Sequence, residues 1–168
     1  MKKVSVVVIV CFFLIATWTV VAAAEMAKEG ESNFKSASST TYKSLKMDKE
    51  RAEYQWETHG VVVEANENSP LYNATYYSLG HFHVFNGAYE DGGFTRYTRP
   101  DGDHIFATYE AKGKVGGKRT LKITFVGGTG KCAGITGEGE SVYIRGLRPP
   151  REGAAMALYV GNFNWKIP

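Results

Sequence analysis

The chain has 168 residues, 43% hydrophobic and 22% charged, with a formal net charge of +3 and only two cysteines. That size suits one domain with a core of its own rather than a small disulfide-stapled scaffold. A nearly balanced, interspersed charge is no footprint of nucleic-acid binding, so no nucleic-acid partner is expected.

Lys2 and Lys3 precede an apolar run from Val4 to Val21, and Ala22-Ala23-Ala24 follows it. A basic head, an apolar middle and a small-x-small exit make a secretory signal peptide over residues 1–24. The run is about 18 residues, a length that also suits an uncleaved anchor. Ala22 and Ala24 supply the small side chains a signal peptidase requires, which favours cleavage. Cys11 follows Val10 within the run rather than a small residue at its end, so lipidation is rejected. Cleavage after Ala24 leaves 144 residues, lowers the charge from +3 to +1 and removes any stable membrane anchor. The expected location is secreted or periplasmic. Cys132 then stands alone, so no intrachain disulfide forms.

Residues 25–48 are rich in Ser, Thr, Lys and Glu, with Phe34 the only aromatic before Tyr42. Such a stretch buries too little apolar surface to offset its ordering entropy and is expected to be a flexible tether. A short helix across "SLKMDKERAEY" is only weakly patterned.

Residues 49–168 read as the domain. Aromatic and β-branched residues alternate there with polar ones, punctuated by "NENSP", "NG", "RPDGD", "VGGK", "GGTGK" and "RPPREG". Strands are expected at Ala52–Glu64, Thr75–Phe85, Ala88–Thr98, His104–Val115, Arg119–Val126, Ile135–Arg145 and Ala155–Ile167. In "RTLKITF", Leu121, Ile123 and Phe125 share one face, opposite Lys122 and Thr124. Short turns between consecutive strands favour an antiparallel meander, and closure into a barrel removes exposed edges. Breaks in the longer strands would bring the number to about eight. The fold class is thus an all-β, roughly eight-stranded antiparallel barrel.

"FVGGTGKCAGITGEGE", residues 125–140, raises the question of a phosphate loop. That pattern needs a glycine, four residues, then Gly-Lys and Ser or Thr. Here Cys132 follows Gly130-Lys131, Phe125 takes the place of the first glycine, and no helical pattern follows to present its amino terminus. Turn and strand-coiling glycines account for the stretch better. The same segment resembles the Gly-Gly-Thr-Gly-Lys-aromatic-x-Gly-x-x-Gly signature of allene oxide cyclase and dirigent-type barrels, with Cys132 where the aromatic is usual. With "SPLYNATYYSLG" and "YTRPDGDHIFATYEAKG" it is similar to an uncharacterised family of secreted bacterial proteins. The resemblance spans about Tyr54 to Ile167. It implies an eight-stranded, calycin-like barrel with an apolar interior, often oligomeric, and carries over no reaction or catalytic residue.

Chemistry-bearing residues are few. "RPDGD" reads as a turn rather than a calcium loop, because Ile105 and Phe106 interrupt the alternating oxygens that loop needs. His81 and His83 lie at i and i+2 on one strand face, where two imidazoles can share copper or zinc given a third ligand. A solvent-facing pair is the simpler account. Ile105, Ala107 and Tyr109 make the better interior face of their strand, which turns Glu110 outward. Among the strand aromatics, Tyr54, Trp56, Tyr97, Tyr109 and Trp165 are candidates to line a cavity, since eight strands can hold one small molecule.

These features favour an exported barrel that binds a small hydrophobic ligand or self-assembles without catalysis and needs no cofactor. The alternatives are a cyclase, isomerase or coupling-type enzyme on a hydrophobic substrate, and a copper- or zinc-binding protein using His81 and His83. A buried carboxylate near tyrosine or arginine would favour the enzyme.

Overall fold

The structure, a computed structural model, describes residues 26–148 and 154–168. The expected signal peptide lies outside the described residues. Eight strands, each antiparallel to its neighbours, follow in chain order and close into a barrel: β1 (Glu29–Lys46), β2 (Arg51–Ala65), β3 (Thr75–Phe85), β4 (Ala88–Thr98), β5 (His104–Lys114), β6 (Thr120–Gly128), β7 (Gly137–Leu147) and β8 (Ala154–Lys166). β1 closes the barrel by pairing with both β2 and β8. No helix among the described residues is long and apolar enough to cross a membrane.

The eighth strand corrects the sequence reading. It does not come from splitting a long strand but from the segment expected to be a tether. β1 runs in register with β8 from Glu29–Lys166 to Thr41–Ala154, and with β2 from Phe34–Ala65 to Lys46–Ala52. Its inward positions are Ser32, Phe34, Ser36 and Ser38, all buried. Small residues are needed there because rings from other strands fill the adjoining bore. Tyr76 reaches Ser36, and Phe34 meets Phe163 edge to face at 5.8 Å. Serine inside and serine or lysine outside leaves no period-two hydropathy signal, although the strand alternates perfectly well. The weak helix across "SLKMDKERAEY" is instead the β1–β2 hairpin, tied by Met47 N–H to the Arg51 carbonyl at 3.1 Å.

One end of the barrel is closed. The β2–β3 connection folds across it and buries Ser69, Pro70 and Leu71 almost completely. The connection from β6 to β7 includes a 3-10 turn, Gly130–Cys132, and buries Cys132 and Ile135 beside the rings of Phe125, Phe163 and Trp165. The glycine-rich loop weighed above as a phosphate loop clasps the neighbouring β4–β5 turn. Lys131 donates its backbone N–H to Asp103 at 2.8 Å and its ammonium to Asp101 at 3.1 Å, and the His104 N–H donates to the Thr129 hydroxyl at 2.9 Å. Gly130 has a φ of 51°, and a β-carbon there would overlap the Asp103 carboxylate. The loop is architecture: its cradle is filled by a carboxylate of the chain itself.

Candidate functional site

At the opposite end, the β1–β2, β3–β4 and β5–β6 turns surround the mouth of a cavity of about 510 Å³. Tyr54, Trp56, Phe82, Tyr89, Tyr143 and Tyr159 supply aromatic walls, with Arg119 deeper. This volume falls within the range of small-molecule sites. A second, narrower space of about 70 Å³ continues toward the barrel centre between Ser36, Ser78, Thr95, Tyr97, Tyr109 and Ser141. Trp56, Thr58, Arg119 and Tyr159 border both.

Two glycines set the shape of the constriction. Gly80 on β3 is paired with Gly93 on β4, both on the inner face, and the Tyr109 hydroxyl occupies the space their side chains would take. The Tyr109 ring then lies against Trp56 with centroids 5.5 Å apart. Glycines inside strands here mark the close approach of a ring, not weakness of the sheet.

An ion pair stands at the floor. Alternation along β4 points Tyr89, Asp91, Thr95 and Tyr97 inward. Arg119, just before β6, reaches Asp91 Oδ2 through both Nε, at 2.7 Å, and its terminal nitrogen. The Asp91 side chain has no exposed surface, while Arg119 keeps 24% of its own and packs over the Phe82 ring at 5.6 Å. Burial pushes the Asp91 pKa above the usual carboxylate range, and the Arg119 charge only partly pulls it back. Burial alone would lower the Arg119 pKa, but the charge and hydrogen bond of Asp91, together with Tyr159 and Tyr109, outweigh it and raise the pKa. Burial also pushes the Tyr159 phenol up to about 12, and Tyr109 and Tyr97 higher still. The phenols therefore act as neutral hydrogen-bonding groups. Asp91 Oδ1 and the hydroxyls of Tyr89 and Tyr109 are buried without a partner among the described residues. Unmatched buried polar atoms are costly; Tyr89 belongs to the lining of the larger space and Tyr109 to that of the smaller one, while Asp91 lies behind both.

The five aromatics singled out from sequence divide by depth. Tyr54 and Trp56 form the cavity wall, and Tyr97 and Tyr109 line the inner space. Trp165 is a correction. It lies at the closed end, lines neither space and donates its indole N–H to the Ala27 carbonyl at 2.9 Å. Ile105, Ala107 and Tyr109 do point inward, and Glu110 faces solvent. His81 is exposed on the outer wall, while Nδ1 of His83 meets the Glu53 carboxylate. No group of three His, Cys, Asp or Glu side chains suited to a metal occurs among the described residues. Sequence reasoning missed Asp91 and Arg119. Both were within reach: the Tyr89–Asp91–Thr95–Tyr97 face puts Asp91 with two aromatics, and alternation puts Arg119 on the face of Leu121, Ile123 and Phe125.

No protein-family model matches the chain, and no curated protein matches it. Among solved structures, a pterocarpan synthase dirigent protein matches at a TM-score of 0.51 and 10% identity, covering 84% of this chain and 88% of that one. The likeness is one of fold. It agrees with the barrel read from the turn and glycine motifs and leaves the chemistry of the cavity to its own residues.

Proposed function

We propose that the protein binds one small, flat, hydrophobic molecule in the open end of the barrel and is exported to do so. The observation that carries this reading is an aromatic-walled cavity of about 510 Å³ that Tyr89, Tyr159 and Arg119 line, with the buried Asp91 carboxylate paired to Arg119 behind that wall. A phenol or similar aromatic alcohol suits it: the ring stacks between Trp56, Tyr54 and Tyr159, and its polar group lies toward Arg119 and Asp91. The rings supply affinity and the polar groups orientation. Titration of flat phenolic probes, followed by Trp56 fluorescence, should show saturable one-to-one binding. Ala157→Phe, which fills the cavity from β8, should weaken it at least tenfold while far-UV circular dichroism stays unchanged. Equal binding by this variant would place the ligand elsewhere.

A second reading is favoured by Asp91 itself. A carboxyl with a raised pKa, between an arginine and neutral phenols, suits transfer of a proton to or from a bound aromatic substrate, as cyclisation or coupling requires. The structural neighbour is a pterocarpan synthase, which makes this reading worth a direct test. Asp91→Asn keeps the shape and removes the titrating group. Under this reading it abolishes turnover of a reactive phenolic substrate while binding persists; unchanged turnover would leave the barrel as a binder alone.

A further inference from the structure

The open end carries a second feature outside the cavity. The turns around its mouth present apolar side chains to solvent: Leu45 and Met47 from the β1–β2 hairpin, Phe85 from the β3–β4 turn and Val115 from the β5–β6 turn, between 49% and 65% exposed. These turns form one rim, because the Asn86 N–H donates to the Glu50 carbonyl at 3.1 Å and the Val115 N–H to the Gly87 carbonyl at 2.8 Å. Between the apolar tips stand Lys43, Lys46, Lys49, Lys114 and Lys118, all exposed and in no ion pair with a described residue. Asp48 and Glu50 are the acids of the same hairpin, and Asp48 is taken by Arg51. At the closed end acids and bases are mixed: Glu29 pairs with Lys166, and Asp101 with Arg99 and Lys131. The cluster of lysines without an acidic partner among the described residues is thus a feature of the mouth.

We propose that the mouth docks reversibly on an anionic phospholipid surface, with the turn tips of Leu45, Met47, Phe85 and Val115 in the headgroup layer and the rim lysines against lipid phosphates. Each lysine near such a surface adds electrostatic attraction, and apolar tips add to this by burial in the interface. The closed end would then face away. Docking in this pose sets the cavity mouth on the bilayer, so a lipophilic ligand would pass between membrane and barrel without crossing water. That role in exchange rests on the binding reading above; the docking does not. Nor does it require an anchor, since lysines and four tips hold a surface contact and not an insertion. A polyanion such as a sulfated sugar would answer the lysines but leave the apolar tips without a partner, which favours lipid.

The test is co-sedimentation of the chain starting at Glu25, which contains all eight strands, with vesicles of phosphatidylcholine alone or with a minority of phosphatidylglycerol. Omitting residues 1–24 prevents their apolar run from binding lipid by itself. Sedimentation with the anionic vesicles only is expected. It should fall about tenfold or more in Lys46→Gln/Lys49→Gln, and severalfold in Phe85→Ser/Val115→Ser, whose positions are too exposed to hold the core. No sedimentation with either vesicle overturns the proposal. So does loss with the lysine variant but not with the apolar one, which would mark a site for soluble polyanions. Ala157→Phe separates the two readings: it should still sediment while losing the phenolic probe.

Discussion

The two ends of this barrel use the same kind of residue to opposite effect. At the closed end the rings of Phe34, Phe125, Phe163 and Trp165 meet one another at centroid distances of 5.4–5.8 Å and leave no sizeable space. At the open end Tyr54, Trp56, Tyr143 and Tyr159 stand around about 510 Å³. The difference lies in the connections. The loop carrying Ser69, Pro70 and Leu71 and the glycine loop carrying Cys132 fold inward over one end, while among the described residues the connections at the other are short hairpins that do not cover it. Aromatic content alone does not decide between core and cavity; what lies across the strand ends does.

That contrast can be broken most severely at Gly137, where β7 leaves the closed end with a φ of 149° and a β-carbon would overlap the Asn164 carbonyl. Gly137→Ala should cost about 4 kcal/mol, combining backbone strain with a clash against main chain, or prevent folding. A melting temperature within a few degrees of wild type would show that the glycine is dispensable.

Arg119→Met should come next, at about 3 kcal/mol near neutral pH, because it leaves the Asp91 carboxylate buried and unpaired. The pH dependence has a definite sign. The folded-state pKa of Asp91 lies above its ordinary value, so the penalty for ionising it is absent below that ordinary value and grows as pH rises through the raised one. Arg119→Met removes the main opposing charge, so its loss of stability should shrink toward acid pH. A loss equal at all pH values would mean that packing over Phe82, not charge, is the contribution of Arg119.

Matched truncations at the two ends give smaller effects. Leu71→Ala, at a side chain only 1% exposed, should cost about 3 kcal/mol, and Met156→Ala at the cavity wall under about 1 kcal/mol, both from denaturant unfolding. Equal costs would imply that the open end is packed as tightly as the closed one. The smallest effect concerns Cys132, whose thiol is fully buried and whose pKa burial raises. Thiol reagents should leave it unlabelled in native protein and label it at once in denaturant.

Much of this architecture could be read before any coordinates. The strand spans Thr75–Phe85 and Ala88–Thr98 coincide with β3 and β4, since tight turns bound them and aromatics mark their faces. β1 was illegible for a physical reason. Apart from Phe34 its buried inward residues are serines, which give room to Phe163 and Tyr76, and periodicity detects apolar side chains rather than space left for someone else's. The site was half legible on the same logic. Rings announce themselves, whereas Arg119 gains its role from a β4 residue 28 positions away, a relation that the curl of the β4–β5–β6 sheet creates.

The seam between β1 and β8 has a consequence for how the molecule comes into being. The first strand of the described chain finds its second partner only in the last, so every intermediate of synthesis carries two bare sheet edges. Non-local closure of this sort is slow, and open edges invite pairing with other chains. The half-made sheet thus has to be kept apart from its neighbours until the final strand arrives, and the barrel latches shut with that strand as its closing act.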